Sequence, residues 1–281
     1  MVDDTRRRVL KLGGLAALSL AGAGAVLADR LRGGPGEDAT RAGAGAGARR
    51  DPPTTPSTEP ATTSSSPATL DDSTSTTTSR ALPEGPAAAT AMLCRAAWGA
   101  AEPTRDPGPH AIAGLMVHHT AVALTDNRKA PDRVRGHQRF HQSKGFADIA
   151  YHVVVDRNGN VYEGRDPSRP GETFTNYDPT GWFLVVCEGN FDEQDFPPAQ
   201  RDAVVRVLAS AATRYGVGAD TLASHRDHAS TSCPGASIHA LVADGTLARM
   251  VGEQMARGSV LETSCGPDAD ARVAAIEAGE A

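Results

Sequence analysis

Between Asp51 and Ser79, 22 of 29 positions are Ser, Thr or Pro. No other stretch limits the fold of this 281-residue chain as strongly. Such a tract offers almost no apolar surface to offset the entropy of ordering a chain, so it is expected to stay disordered. With the Gly/Ala-rich segment before it, it forms a linker over 30–90. As a flexible coil that tether spans roughly 40 Å. Folding is left to a module over 91–262, and a chain of that size buries roughly 70% of its unfolded surface, enough for one core. Residues 263–281 are expected to form a flexible C-terminal tail.

The N-terminus bears on the compartment. "TRRRVLK", from Thr5 to Lys11, precedes an uncharged apolar run from Leu12 to Ala28. A basic start, an apolar middle and small residues at the end make an export signal over 1–29, and the arginines make it resemble the twin-arginine type. No cysteine follows the run, which excludes a lipoprotein anchor. Membrane contact is therefore expected only through this segment, if it stays uncleaved. The net charge of −6 gives no basic field to attract nucleic acid.

Within the module, "IAGLMV" (112–117) reads as a buried strand ending at His118, and "WFLVVCE" (182–188) as a central one. "IAYHVVVDRNGNVYEG" (149–164) reads as two strands around an Asn-Gly turn. Helices are expected over 131–145, 197–216 and 238–255, with a short strand-like "TLAS" before His225. Strands mixed with helices, without regular alternation, place the chain in the α/β class, α+β in type. A mixed central sheet carries the helices.

Four cysteines and nine histidines are few, yet "HRDHASTSCPG" (225–235) holds two histidines and Cys233. Residue types alone leave Cys233 open as a nucleophile, half of a disulfide or a metal ligand. His118 and His119 end an apolar strand and point to opposite faces, so only one of them can enter a given pocket. One histidine from each of two strands and a loop cysteine could hold zinc, with a fourth position for water. His137 and His141 form a competing pair on one helix face. They lack the glutamate of an H-E-x-x-H motif and read as surface or groove-wall residues.

"MVHHT" (116–120), "GFADIAYHVVVDRNGNVYEGR" (145–165), "CEGNF" (187–191) and "HRDHASTSCPG" together resemble the peptidoglycan recognition protein family. That family shares its fold with zinc-dependent N-acetylmuramoyl-L-alanine amidases of the phage lysozyme type. The resemblance covers about residues 94–250. It implies zinc ligands at His118, His225 and Cys233, a catalytic tyrosine at Tyr151 and an assisting Thr231. His119 should then face elsewhere, and His228 lies on the loop surface. The implied reaction is hydrolysis of the amide between N-acetylmuramic acid and L-alanine in peptidoglycan or its muropeptides, by an exported monomer.

The chain departs from the family between Asp166 and Trp182, where relatives carry histidines and this sequence has none. The family's peptide-stem preference is therefore not carried over. Cys187 reads as a small buried hydrophobe. Cys94 and Cys265 flank the module and could pair in an exported protein. Two rivals stand beside the zinc amidase: a zinc-holding peptidoglycan-binding module with little or no catalysis, and a Cys–His hydrolase using Cys233 as nucleophile.

Overall fold

The computed structural model describes residues 89–281. The expected signal over 1–29 and the Ser/Thr/Pro tract lie outside the described residues. Strands β1 (Thr90–Leu93), β2 (Gly114–His119), β3 (Val153–Val155), β4 (Val161–Glu163), β5 (Trp182–Cys187), β6 (Leu222–Ser224) and β7 (Leu261–Ser264) make one sheet, in the order β6-β2-β5-β3-β4-β1-β7. Only β3 and β4 pair antiparallel; every other neighbouring pair is parallel. The sheet is mixed, as expected.

The helices are α1 (Ala130–Ser143), α2 (Pro198–Tyr215), α3 (Ala236–Ala243), α4 (Thr246–Arg257) and α5 (Pro267–Ala278). Strand β2 is buried at every position, as befits a parallel strand covered on both faces. Its Leu115 and Val117 pack with Val153, Val155 and Val185 against Val204, Leu208, Leu247 and Val251 of α2 and α4. On the opposite face, Val154, Tyr162 and Val186 meet Val134 of α1 and Val273 and Ile276 of α5. Side chains alternate along a strand, so this layering sends His118 towards one face and His119 towards the other.

The hairpin turns where the Asn-Gly pair predicts. Asp156 Oδ1 accepts from the backbone N–H groups of Asn158 and Asn160, and Gly159 takes φ +85°. A side chain at Gly159 would also meet the Ala199 carbonyl oxygen at 2.7 Å.

Two expectations fail. Residues 263–281 are not a flexible tail: β7 pairs with β1, and α5 buries Ala269, Val273 and Ile276. Burying Val or Ile contributes about 1.5–3 kcal/mol per side chain, enough to hold so short a helix in place. Arg135 pairs with Glu277 at 2.7 Å, and Cys94 is disulfide-bonded to Cys265. The module therefore runs to the end of the chain. The single helix expected over 238–255 is also two helices, α3 and α4, broken where Gly245 adopts φ +76°.

His152 lies between the rings of His110 and Phe183, at centroid distances of 5.5 and 5.4 Å. Its Nδ1 accepts from Leu184 N–H at 2.9 Å and its Nε2 donates to the Arg169 carbonyl at 3.0 Å. Burial lowers its pKa to about 3, and that of His141 to about 3. In the unfolded chain both titrate near pH 6.5. Between those values the unfolded chain takes up protons that the folded chain refuses. Stability from these rings is thus complete above pH ~6.5 and lost as pH falls towards ~3. Urea unfolding should show the midpoint nearly level above pH ~7 and dropping from pH ~6.5 to ~4.5; a flat profile across that window contradicts this assignment.

Candidate metal centre and active site

The pairing of β2 with β6 aligns Val117 with Ser224, so the next residues, His118 near the end of β2 and His225 just past β6, stand side by side. His225 opens a short 3-10 turn fixed by Ser224 and Asp227, whose side chains cap each other's backbone. The rings of His118 and His225 stand 4.8 Å apart, and the chain then brings Cys233 against both. One ligand atom from each of the three residues lies within 4.8 Å of the others, and all three residues are buried.

Gly235 makes this return possible. It adopts φ +88°, and a Cβ there would meet the Phe191 carbonyl carbon at 2.5 Å and Phe191 Cβ at 2.7 Å. Ser237 fastens the segment by donating its N–H and hydroxyl to the Phe191 carbonyl, at 3.1 and 2.8 Å. The Gly235→Ala variant should lose about 1–3 kcal/mol from backbone strain alone, with the clash added. Its thermal midpoint should fall well below wild type. An unchanged midpoint contradicts the packing argument.

The donor set fits zinc. With about 2.3 Å to sulfur and about 2.0 Å to nitrogen, two ligands of a tetrahedral ion stand about 3.5 Å apart. Cys233 Sγ lies 3.6 Å from His118 Nδ1. Burial, aided by the neighbouring His225, holds His118 well below the usual imidazole range and lowers His225 to about 4, so both rings are neutral at pH 7 and offer lone pairs. Burial pushes the Cys233 thiol up to about 12, although the His119 N–H donates to its sulfur at 3.3 Å. A nucleophilic cysteine needs the opposite: a depressed pKa beside an imidazolium. These electrostatics weigh against the Cys–His hydrolase.

Tyr151 lies two residues before β3 and is partly buried. Its ring is 5.2 Å from His118 and meets His141 edge-on at 5.9 Å. Burial, reinforced by Cys233, Tyr177 and Glu188, raises its phenol pKa far above the usual range, so it keeps its proton. Thr231 Oγ1 accepts from Cys233 N–H at 3.2 Å, which leaves the hydroxyl proton free to be donated. His119 faces the other side as expected, with Nδ1 accepting from Phe191 N–H at 3.3 Å.

The pair on α1 does not lie on the open surface; His141 stands beside Tyr151 and Phe174, in keeping with the groove-wall alternative. His141 is buried, accepts from Ala150 N–H at 3.2 Å and stacks on Phe146. His137 Nε2 lies 2.6 Å from a carboxylate oxygen of buried Glu188, which Arg133 also pairs at 3.0 Å. His228 is exposed on the loop, as expected, with its ring beside Trp182 at 4.7 Å between centroids.

Sequence reasoning missed the part played by the segment after Asp166. Buried Arg165 pairs with Glu172 at 2.5 Å and fixes its root. Thr175 Oγ1 then reaches His225 Nε2 at 2.8 Å, and the Tyr177 ring lies 4.7 Å from that of His225. A shallow depression of about 430 Å³ runs beside it along Arg105, Phe146, Glu172, Thr175, Tyr177 and Thr180. No local sequence pattern announces a threonine that acts on a ring 50 positions later.

Comparison with known proteins places the chain. The N-acetylmuramoyl-L-alanine amidase family profile matches residues 108–236. Peptidoglycan-recognition protein SD of Drosophila simulans is 31% identical over 159 residues, covering 54% of this chain and 83% of that protein. The chain belongs to the peptidoglycan recognition protein and amidase family. An endolysin of Klebsiella phage KP32 is 34% identical, across 43% of this chain and 78% of its own. Among solved structures, peptidoglycan recognition protein-LE in complex with tracheal cytotoxin superposes with a TM-score of 0.50 at 25% identity, covering 54% of this chain and 92% of that one. The family match spans His118, Tyr151, His225, Thr231 and Cys233, whereas β1, β7 and α5 lie outside it.

Proposed function

We propose that this chain is an exported, zinc-dependent N-acetylmuramoyl-L-alanine amidase that frees the peptide stem from peptidoglycan. The observation that carries the reading is the convergence of His118, His225 and Cys233, with a protonated Tyr151 against the His118 ring. Relatives support the substrate class: protein SD is named for peptidoglycan recognition, and recognition protein-LE is seen with monomeric diaminopimelic acid-type peptidoglycan. The twin-arginine-like start and the Cys94–Cys265 bridge favour a compartment outside the cytoplasm.

Each residue has a stated task. Zinc held by two imidazoles and a thiolate supplies Lewis acidity, which lowers the pKa of water and polarises an amide carbonyl. Tyr151 donates its phenol hydrogen to the carbonyl oxygen as negative charge develops there. Thr231, its oxygen already tied to Cys233 N–H, guides a proton to the departing amine of L-alanine. The His119 N–H holds the Cys233 sulfur in place from behind.

Zinc content and hydrolysis should rise and fall together in the purified full chain. Chelation should stop muropeptide hydrolysis and zinc alone should restore it, while Cys233 resists iodoacetamide until the metal is stripped. Hydrolysis that ignores chelators but is blocked by alkylation of Cys233 supports the cysteine hydrolase instead. A zinc-holding peptidoglycan-binding module is the second reading, favoured by the histidine-free segment beside the site. That reading requires zinc uptake and muropeptide binding without turnover.

A further inference from the structure

The segment from Asp166 to Gly181, where this chain departs from its family, touches the proposed metal centre through Thr175 and Tyr177, both against His225. We propose that Thr175 is a positioning residue for that centre: its hydroxyl accepts the Nε2–H of His225 and thereby presents the Nδ1 lone pair of the ring to the ion. The inference rests on the reading of His225 as a zinc ligand.

An imidazole can bind a metal only through the nitrogen that carries no proton. His225 Nε2 is engaged by Thr175 Oγ1 at 2.8 Å, so Nδ1 is the nitrogen left to face the other ligands. Thr175 is itself held. Its Oγ1 lies 2.8 Å from Thr173 Oγ1, and its backbone N–H donates to the same oxygen at 3.1 Å. When the Thr175 hydroxyl donates to Thr173, its lone pairs are turned to the His225 ring, and the ring must then carry its proton on Nε2. The Tyr177 ring restricts rotation of the imidazole from one side.

The root of the segment is rigid as well. Glu172 is gripped by Arg165 and accepts from Ala147 N–H at 2.7 Å, while Gly171 fits so close to Leu184 that a Cβ would lie 2.2 Å from its Cδ1. His118 has no equivalent support, because its Nε2 is buried without a protein hydrogen-bond partner. Of the two imidazoles, His225 is the one whose orientation the protein fixes from outside the ligand set. Outer partners of this kind are worth 10–100-fold in metal affinity.

The test is zinc affinity, read by competition with a chromogenic chelator in the full chain, for wild type, Thr175→Val and Thr175→Ser. The valine variant keeps the shape and loses the hydroxyl. It should bind zinc about 10–100-fold more weakly, and the serine variant should return to within about threefold of wild type. Metal-free thermal midpoints should match across the three proteins, which separates ring positioning from a general loss of structure. Valine and wild type binding zinc equally overturns the inference and leaves the amidase reading intact. Serine as weak as valine also overturns it, because the hydroxyl is then not the active group. A wild-type chain that takes up no zinc removes the metal reading and this inference with it.

Discussion

The Cys233→Ala variant is expected to lose zinc uptake and muropeptide hydrolysis together. Cys233 supplies the only sulfur of the cluster, and its removal leaves two neutral imidazoles with no anionic ligand. Loss of a direct ligand should cost more than the 10–100-fold typical of an outer-shell partner. The fold should survive, since Cys233 sits in a loop tied down independently by Ser237 on Phe191 and by Gly235 beneath it. Zinc content measured by atomic spectroscopy, beside the thermal midpoint of the metal-free protein, separates the two effects. Hydrolysis surviving at wild-type rate refutes the ligand assignment.

The second large effect concerns turnover without metal loss. Tyr151→Phe keeps the ring that packs on His118 and His141 and removes only the hydroxyl. Losing one donor aimed at a developing oxyanion costs on the order of 10²–10³ in kcat. KM for a muropeptide and zinc content should stay near wild type. A variant with unchanged kcat shows that Tyr151 is a packing residue, which is the ordinary role of a tyrosine beside a strand.

How far the sequence carried these conclusions depended on where the information lay. Strand β2 and the hairpin around Asn158-Gly159 are written locally, as an apolar run and a turn pair, and both form where they are written. The convergence of His118, His225 and Cys233 is not local. It follows from the alignment of Val117 with Ser224 across two strands more than 100 residues apart, a fact that spacing alone cannot supply. The four matching blocks stood in for that missing geometry.

The errors have equally physical origins. Helix α5 buries Ala269, Val273 and Ile276 at helical spacing, but alanine is a faint hydrophobic signal and the C-terminal sequence reads as polar. The break at Gly245 was masked by apolar periodicity continuing on both sides of it. Thr175 was invisible for a different reason. A threonine in a polar loop carries no mark of function until the fold sets it against a ring.

The most direct test of the central claim identifies the bond that is cut. The zinc-loaded full chain should be incubated with defined muropeptides in ¹⁸O-labelled water and the products resolved by mass spectrometry. The expected result is a free stem peptide beginning at L-alanine, with the label in the lactyl carboxylate of the muramic acid. Full zinc occupancy with intact muropeptide, or cleavage at any other bond, contradicts it.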